Sequence, residues 1–465
     1  MMREYLLDSE TQHTRYSEEA NSFYRVPDLE YLLDPVNMVE MIKHFIMYQL
    51  PRLKHLDSYY AGNNHGIMSG QRRMNEEKAD HRATHGFAHQ ITDFNVSFLT
   101  GIPITVEAED EQAGEFVTAF NQSNDIDAHN SYLATDLSKY GRGYELLHRG
   151  DETEVYVSNP YWTIVVYDES IQMNPVAAIR FPKVRRGTEE LYHITLYTAS
   201  DVIQYEPSNL VAQELEVEQS YPHAFGGVPI IEYSNNRYRF GDYERVLSLI
   251  DLYDSAQSDT ANYMTDTNDA LLVIVGDFEA AGIELNKEIG ALLMETGVDA
   301  QGKQTKLEAK YIHKEYDVNG TESYKTRIQR DIHKFSHTPD LSDEHFSGTQ
   351  SGEAMKYKLF SLEQSRAMKE RHFKQGLEAR YQLVENMAGV TREFTGDLSG
   401  LDYVFTPNLP ESINEELVSF TNAGGRISNK TLLSQLSFVS DVEKELEMLE
   451  EEDGIIDVPV DHAHE

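Results

Sequence analysis

Apolar residues recur at three- and four-residue spacing in the first part of the chain, which predicts helices there. Asp34 to Tyr60 carries Val36, Val39, Ile42, Phe45 and Ile46 on one stripe, with Pro35 placed to open the helix. A second helix is predicted over Arg73 to Leu99 through Phe87, Ile91, Phe94 and Phe98, stopped by Gly101 and Pro103. A third, Phe116 to Tyr140, ends at Gly141-Arg142-Gly143. From Tyr144 to Tyr233 the pattern changes to short β-branched and aromatic runs (154–157, 163–167, 192–197 and 228–233) divided by Gly, Pro, Asn and Asp, which reads as an antiparallel sheet region. Helix returns over Gly241 to Asn268 on the stripe Tyr243, Val246, Leu247, Ile250 and Tyr253. Residues 270–319 form a small mixed insertion, with the apolar run Leu271 to Val275 and a helix expected over Glu284 to Glu295; helix resumes from Gly320 to His337. Thr338 to Gly352 is loop by its Pro, Ser and Gly content. Glu353 to Met387 is the longest helical pattern, with Ser351 as its N-cap. Past Pro407 and Pro410, helices are expected at 412–422, 430–436 and 441–452, and the last dozen residues are expected to fray. Helices and strands are segregated, so the class is α+β.

Composition narrows the chemistry. The 465 residues suffice for two to four domains, and the absence of cysteine excludes disulfide scaffolds, thiol catalysis and cysteine-ligated zinc. It suits synthesis in a reducing cytoplasm. Neither a signal peptide nor a membrane span is expected, because no basic-then-apolar leader and no run of about 18 apolar residues occurs. A formal charge of -39 argues against a surface that binds nucleic acid everywhere. The charge is nevertheless uneven. Lys303, Lys306, Lys310, Lys314, Lys325, Arg327, Arg330 and Lys334 make the middle locally basic, whereas 411–465 is strongly acidic. The long helix also has a basic face, from Lys356 and Lys358 to Arg380.

Four ordered stretches carry a family likeness. They are Tyr59-Tyr60-Ala61-Gly62 followed by Asn95 to Ile104; Tyr140-Gly141-Arg142-Gly143-Tyr144-Glu145-Leu146; His223 to Asn236 running into Gly241-Asp242-Tyr243-Glu244 and Leu249 to Asp254; and Leu341 to Gly348 with Ser351 to Leu359. In this order and spacing the chain resembles the portal proteins of long-tailed phages infecting Gram-positive bacteria. That resemblance implies a portal fold. Residues 1–33 would be an N-terminal arm, 34–240 the wing, 241–269 and 320–337 the two stem helices, and 270–319 a small α/β clip. Residues 338–352 would carry the tunnel loop, 353–410 the long helix and wing return, and 411–465 the crown. It further implies a homo-oligomeric ring, twelve subunits in the virion, at one capsid vertex. Double-stranded DNA would pass through it without sequence specificity. The expected partners are the terminase large subunit, a head-completion adaptor, the scaffold and the major capsid protein, with no membrane and no cofactor. The tunnel loop would comprise Asp340, Leu341, Ser342, Asp343, Glu344, His345, Phe346, Ser347, Gly348, Thr349, Gln350 and Ser351. Lys325, Arg327, Lys334, Lys356 and Lys358 are candidates for facing DNA or for pairing between subunits.

The other readings are weaker in the residues. His81, His85 and His89 fall at helical spacing and could share a metal-binding face, but a solvated or inter-subunit polar face explains them as well. Asp340, Asp343, Glu344 and His345 lack the spacing of a calcium loop. There is no phosphate loop and no Gly-x-Ser-x-Gly elbow, so neither an ATPase nor a serine hydrolase is expected. Another head–tail structural protein and, from the carboxylates alone, an acidic carbohydrate hydrolase are the alternatives.

Overall fold

A computed structural model describes residues 16–69, 79–267, 271–276, 291–295, 308–312, 317–340 and 352–408, with isolated positions at Leu433, Val442, Leu446 and Met448. Side chains are described for these except within 266–312 and 352–358. The tunnel-loop residues 341–351 and the helix expected over 412–422 therefore lie outside the described residues, as do those expected over 430–436 and 441–452 apart from Leu433, Val442, Leu446 and Met448, each of which is helical.

The chain enters through β1 (Tyr24–Val26) and α1 (Leu29–Leu33). The single helix expected over 34–60 is instead α2 (Pro35–His44), a π-helical turn at Phe45–Gln49, and α3 (Leu50–Tyr60). Pro51 supplies the reason. It has no N–H to give and its ring clashes with the carbonyl one turn back, so the helix widens and the Leu50 N–H bonds to the Phe45 carbonyl. After α4 (His65–Met68) comes a second correction: α5 (Phe87–Thr100) starts only at Phe87, and 79–86 is not helical. Residues 81, 83 and 85 donate their N–H groups to side chains of a distant helix, so a helix of their own is not formed.

β2 (Thr105–Glu107) leads to α6 (Glu111–Ser123) and α7 (Ile126–Tyr140). These two replace the third predicted helix, broken where Asp125 takes φ 47° and the Asn124 amide donates to the carbonyls of Phe120 and Thr153. The β region is richer than its pattern suggested. It contains β3 (Arg142–Arg149), β4 (Thr153–Ser158), β5 (Thr163–Asp168), β6 (Pro175–Arg180), β7 (Lys183–Arg186), β8 (Glu189–Tyr192), β9 (Thr195–Tyr197), β10 (Asp201–Tyr205), β11 (Val217–Pro222) and β12 (Ile230–Ser234). One sheet has the order β1-β5-β6-β9-β10-β11, a second β12-β3-β4, and β7-β8 is a separate ribbon. All pairs are antiparallel except β1 with β5. The run at 192–197 is thus divided between two sheets.

A 3-10 turn, Glu244–Val246, opens α8 (Leu247–Thr267). The excursion beyond it contains β13 (Leu271–Gly276), β14 (Ala291–Glu295) and β15 (Glu308–Ile312) in the order β14-β13-β15. Ala291–Glu295 is therefore strand, parallel to β13, and the end of the helix expected over 284–295 is corrected; backbone pairing with an apolar neighbour strand overrides a weak helical pattern. The chain returns as α9 (Val318–Phe335), packed on α8. Then follow α10 (Gly352–Thr391) and β16 (Asp402–Val404), which closes on β2.

Two cores organise these elements. One joins the large sheet (Val166, Ile179, Leu196) to α2, α3 and the bases of α8 and α9 (Ile250, Ile332). The other gathers α6, α7, β3, β4 and β16 around α10 through Leu133, Leu147, Phe373, Leu377 and Val384. Between the two sheets lies a small apolar seam containing Tyr144, Val165, Ala178 and Ile230.

Candidate functional site at the base of the helix pair

Residues from the first three stretches that carried the family likeness converge where α8 and α9 leave the body. Gly141 has φ +79°, and a Cβ there would come within 2.0 Å of the Arg239 carbonyl oxygen, so only glycine fits. Gly241 is equally confined, with a virtual Cβ 2.6 Å from the Lys139 carbonyl. The chain segments crossing at these glycines bring the next residues into place. The Asp242 N–H donates to the Ser138 carbonyl at 2.8 Å. The Asp242 carboxylate accepts from Lys369 Nζ of α10 at 2.6 Å, and Lys369 also donates to Asn95 of α5. The Tyr243 hydroxyl donates to the Leu56 carbonyl of α3. Glu244 takes two hydrogen bonds from Arg52, whose guanidinium is buried. One short segment thus ties the root of α8 to three other helices.

Beside it lies a buried ionic knot. Glu145 on β3 and Arg380 on α10 are both fully buried, with Arg380 Nε donating to the carboxylate at 3.0 Å and His129 2.7 Å from it. Burial alone would push Glu145 up, but the charge of Arg380 and the bonds from His129 and Arg380 outweigh it and hold the carboxyl down at about 2. Arg142 is buried too, but it has no carboxylate of its own: Nη1 donates to Gln49, and burial lowers it to about 10.

Along α8 runs a polar ladder. Asp254, Ser258 and Asn262 sit one helical turn apart and accept the backbone N–H groups of His85, Ala83 and His81, at 3.1, 2.9 and 2.6 Å. Four helical residues rise about 6 Å and two extended residues about 6.6 Å, so the two repeats stay in step for three rungs. The Asn64 amide donates to Asp251 and Asp254, and the Tyr59 hydroxyl donates to Asp251, which gives the Tyr-Tyr-x-Gly stretch a structural task at the same helix.

This accounts for the histidines. His81 and His85 belong to the extended strap, His81 contacting Thr265 and His85 contacting Asp254, whereas His89 lies on α5 beside Asp93. They do not share a helical face, and no cluster suited to a metal ion occurs among the described residues.

The basic candidates separate. Lys325 is buried, donating to Gln257 of α8 and pairing with Glu322, so it braces the helix pair. Arg327 is 80% exposed with Asp331 at 3.7 Å, and Lys334 is exposed over the Phe335 ring. Arg330, one turn from each, joins them in an exposed basic stripe. The side chains of Lys356 and Lys358 lie outside the described residues. Asp340 accepts from Gln329 at 3.1 Å and lies 3.9 Å from His333. Sequence reasoning did not find Arg52, Asn64, Asp254 or Glu145 as tethers, because their partners are brought together only by the tertiary fold. The glycines flanking Arg142 and preceding Asp242 were the one available signal. No described helix is long and apolar enough to cross a membrane.

Comparison with known proteins bears on all of this. The chain is 26% identical over 410 residues to the portal protein of Bacillus phage SPP1, covering 83% of this chain and 78% of that one. It is 22% identical over 424 residues to the portal protein of Clostridium phage phiCD119, covering 86% and 92%. Among solved structures it is similar to a chain in the neck of an empty gene transfer agent particle, at a TM-score of 0.42 and 11% identity over 85% of this chain and 93% of the other. The family profile described as phage portal protein, SPP1 Gp6-like, matches residues 41–456. The chain belongs to the SPP1 Gp6-like phage portal protein family.

Proposed function

We propose that this chain is the subunit of a homo-oligomeric ring at one capsid vertex, through which double-stranded DNA is packaged, retained and released. The observation that carries the reading is the family match across residues 41–456, which spans the wing, the helix pair and the long helix together. Its role is structural, and the energy for DNA movement comes from a partner motor. The tethered base of α8 and α9 is consistent with a rigid stem standing on a braced wing. Residues 270–319 would present the clip to the motor and later to a head-completion adaptor, and 411–465 would form the crown. A channel subunit should hold DNA weakly, since each phosphate neutralised adds a salt-dependent grip that opposes sliding. A chain of formal charge -39, with Arg327, Arg330 and Lys334 exposed on one face of α9, meets that requirement. Negative-stain microscopy of the purified full chain tests the proposal: closed rings with a central channel are expected, and a population of compact monomers at micromolar concentration would overturn it.

A further inference from the structure

Four arginines are buried among the described residues, and three of them lay the same edge of the guanidinium against a carboxylate. Arg52 donates Nε and Nη2 to Glu244 at 2.8 and 2.6 Å. Arg380 donates the same two nitrogens to Glu145, and Arg239 sets Nε 2.9 Å and Nη2 3.4 Å from Glu232. This fork is the edge of the side chain shaped for a pair of acceptor atoms or a single anion. Arg142 breaks the pattern. Its Nη1 donates to Gln49 on the π-helical turn at 2.7 Å, but Nε and Nη2, both buried, meet no acceptor.

The neighbours of Arg142 do not compensate it. The Phe45 ring, its centroid 5.7 Å from the guanidinium carbon, attracts the charge without accepting its N–H groups. Arg52 and Arg239 are close enough to act against its charge, and Glu232 is already bound by Arg239. Even lowered to about 10, Arg142 is a cation at neutral pH. The cluster thus sets Arg52, Arg142 and Arg239 against Glu232 and Glu244, three positive charges against two negative, an excess of one. Nη1 of Arg52, one helical turn from Gln49, is likewise buried without an acceptor. Guanidinium nitrogens only donate, so an acceptor completes them, and one negative charge balances the excess.

We propose that the fork of Arg142 holds a small monovalent anion of halide size, chloride in ordinary solution, as a buried ligand joining β3 to the π-helical turn. Water would accept from the fork but leave the charge uncompensated. Sulfate or phosphate as a dianion would turn an excess of one into a deficit of one. Arg142 is 0% exposed, so it offers no surface to an acidic side chain of a neighbouring copy.

Thermal denaturation of the full-length protein at fixed pH and ionic strength, with chloride exchanged for gluconate, tests the site. A ligand held only by the folded state raises the midpoint with ln(1 + [L]/Kd), so the parent should melt about 2 °C or more higher in about 300 mM chloride than in about 3 mM. Bromide should replace chloride, and sulfate should not. Arg142→Met should abolish the response, whereas Arg237→Gln, which removes an exposed arginine, should keep it. No response in the parent, or one that survives in Arg142→Met, overturns the proposal. Crystals of the parent grown in sodium bromide give an answer that does not depend on the variant folding. An anomalous peak in contact with Arg142 Nε and Nη2 supports the site, and the lack of anomalous signal there overturns it.

Discussion

Glu145 and Arg380 lock the long helix onto the wing, and their chemistry sets a pH dependence. A carboxylate held at about 2 in the fold and near 4.5 in the unfolded chain adds stability that is fully present above about pH 4.5 and is lost as pH falls towards 2. Glu145→Gln leaves a buried guanidinium without its counter-charge, and the expected cost at neutral pH is about 3–5 kcal/mol. Chemical denaturation should show that deficit shrinking as the pH is lowered through this window, because the parent then loses the same interaction. Asp136 behaves in the opposite sense. Burial raises it to about 7, with Lys139 opposing and Asp57 reinforcing. The native state therefore keeps a proton that the unfolded chain releases near pH 3.8, and stability attributable to this group declines as pH rises from about 4 to 7. Asp136→Asn should raise the melting temperature at pH 8 and give no gain at pH 4; a gain independent of pH would refute the assignment.

The strap and the ladder on α8 work as elements. Replacing Asn262 with Ala leaves the His81 N–H without its acceptor in a largely covered site, at an expected cost of about 1–3 kcal/mol, and Ser258→Ala should do the same at Ala83. Exchange at the His81, Ala83 and His85 amides should rise together if the strap opens as a unit, and only at the altered rung if it does not. The strap also shows what could be read from the chain alone. The stripes of α2, α3, α5, α8, α9 and α10 were legible because each buries one face at the helical period. The strap was not: Phe87 to Phe98 is helical in pattern, and nothing local says that Ala83 will bond Ser258, 175 residues away. β6 was missed for a related reason, since Ala177 and Ala178 are strand residues by virtue of fitting between β5 and β9, not by propensity. At the site, Gly141 and Gly241 announced a close crossing, but Arg52, Asp254 and Glu145 look like ordinary surface charges until the fold pairs them.

For the assembled molecule, charge decides between gripping DNA and letting it slide. Lys325, which the family resemblance placed among the candidates for facing DNA or pairing between subunits, is spent inside the subunit on Gln257 and Glu322. What remains exposed on α9 is Arg327, Arg330 and Lys334, at i, i+3 and i+7 on one face, with Asp331 tempering the first. If that face lines the channel, each side chain that neutralises a phosphate contributes about 0.9 to the slope of log affinity against log salt. Changing all three to Gln should then leave ring assembly intact and flatten the slope measured for duplex DNA by up to about 3, with weaker retention of packaged genomes. If the same face instead meets acidic residues of a neighbouring subunit, the triple variant should lose rings while the DNA slope stays as it was. Exposed pairs are worth little singly, about 0–1 kcal/mol, so any loss of assembly would have to come from the repeat of this contact around the ring. Measuring ring yield and salt slope on the same preparation separates the two outcomes, because each moves one readout and leaves the other unchanged.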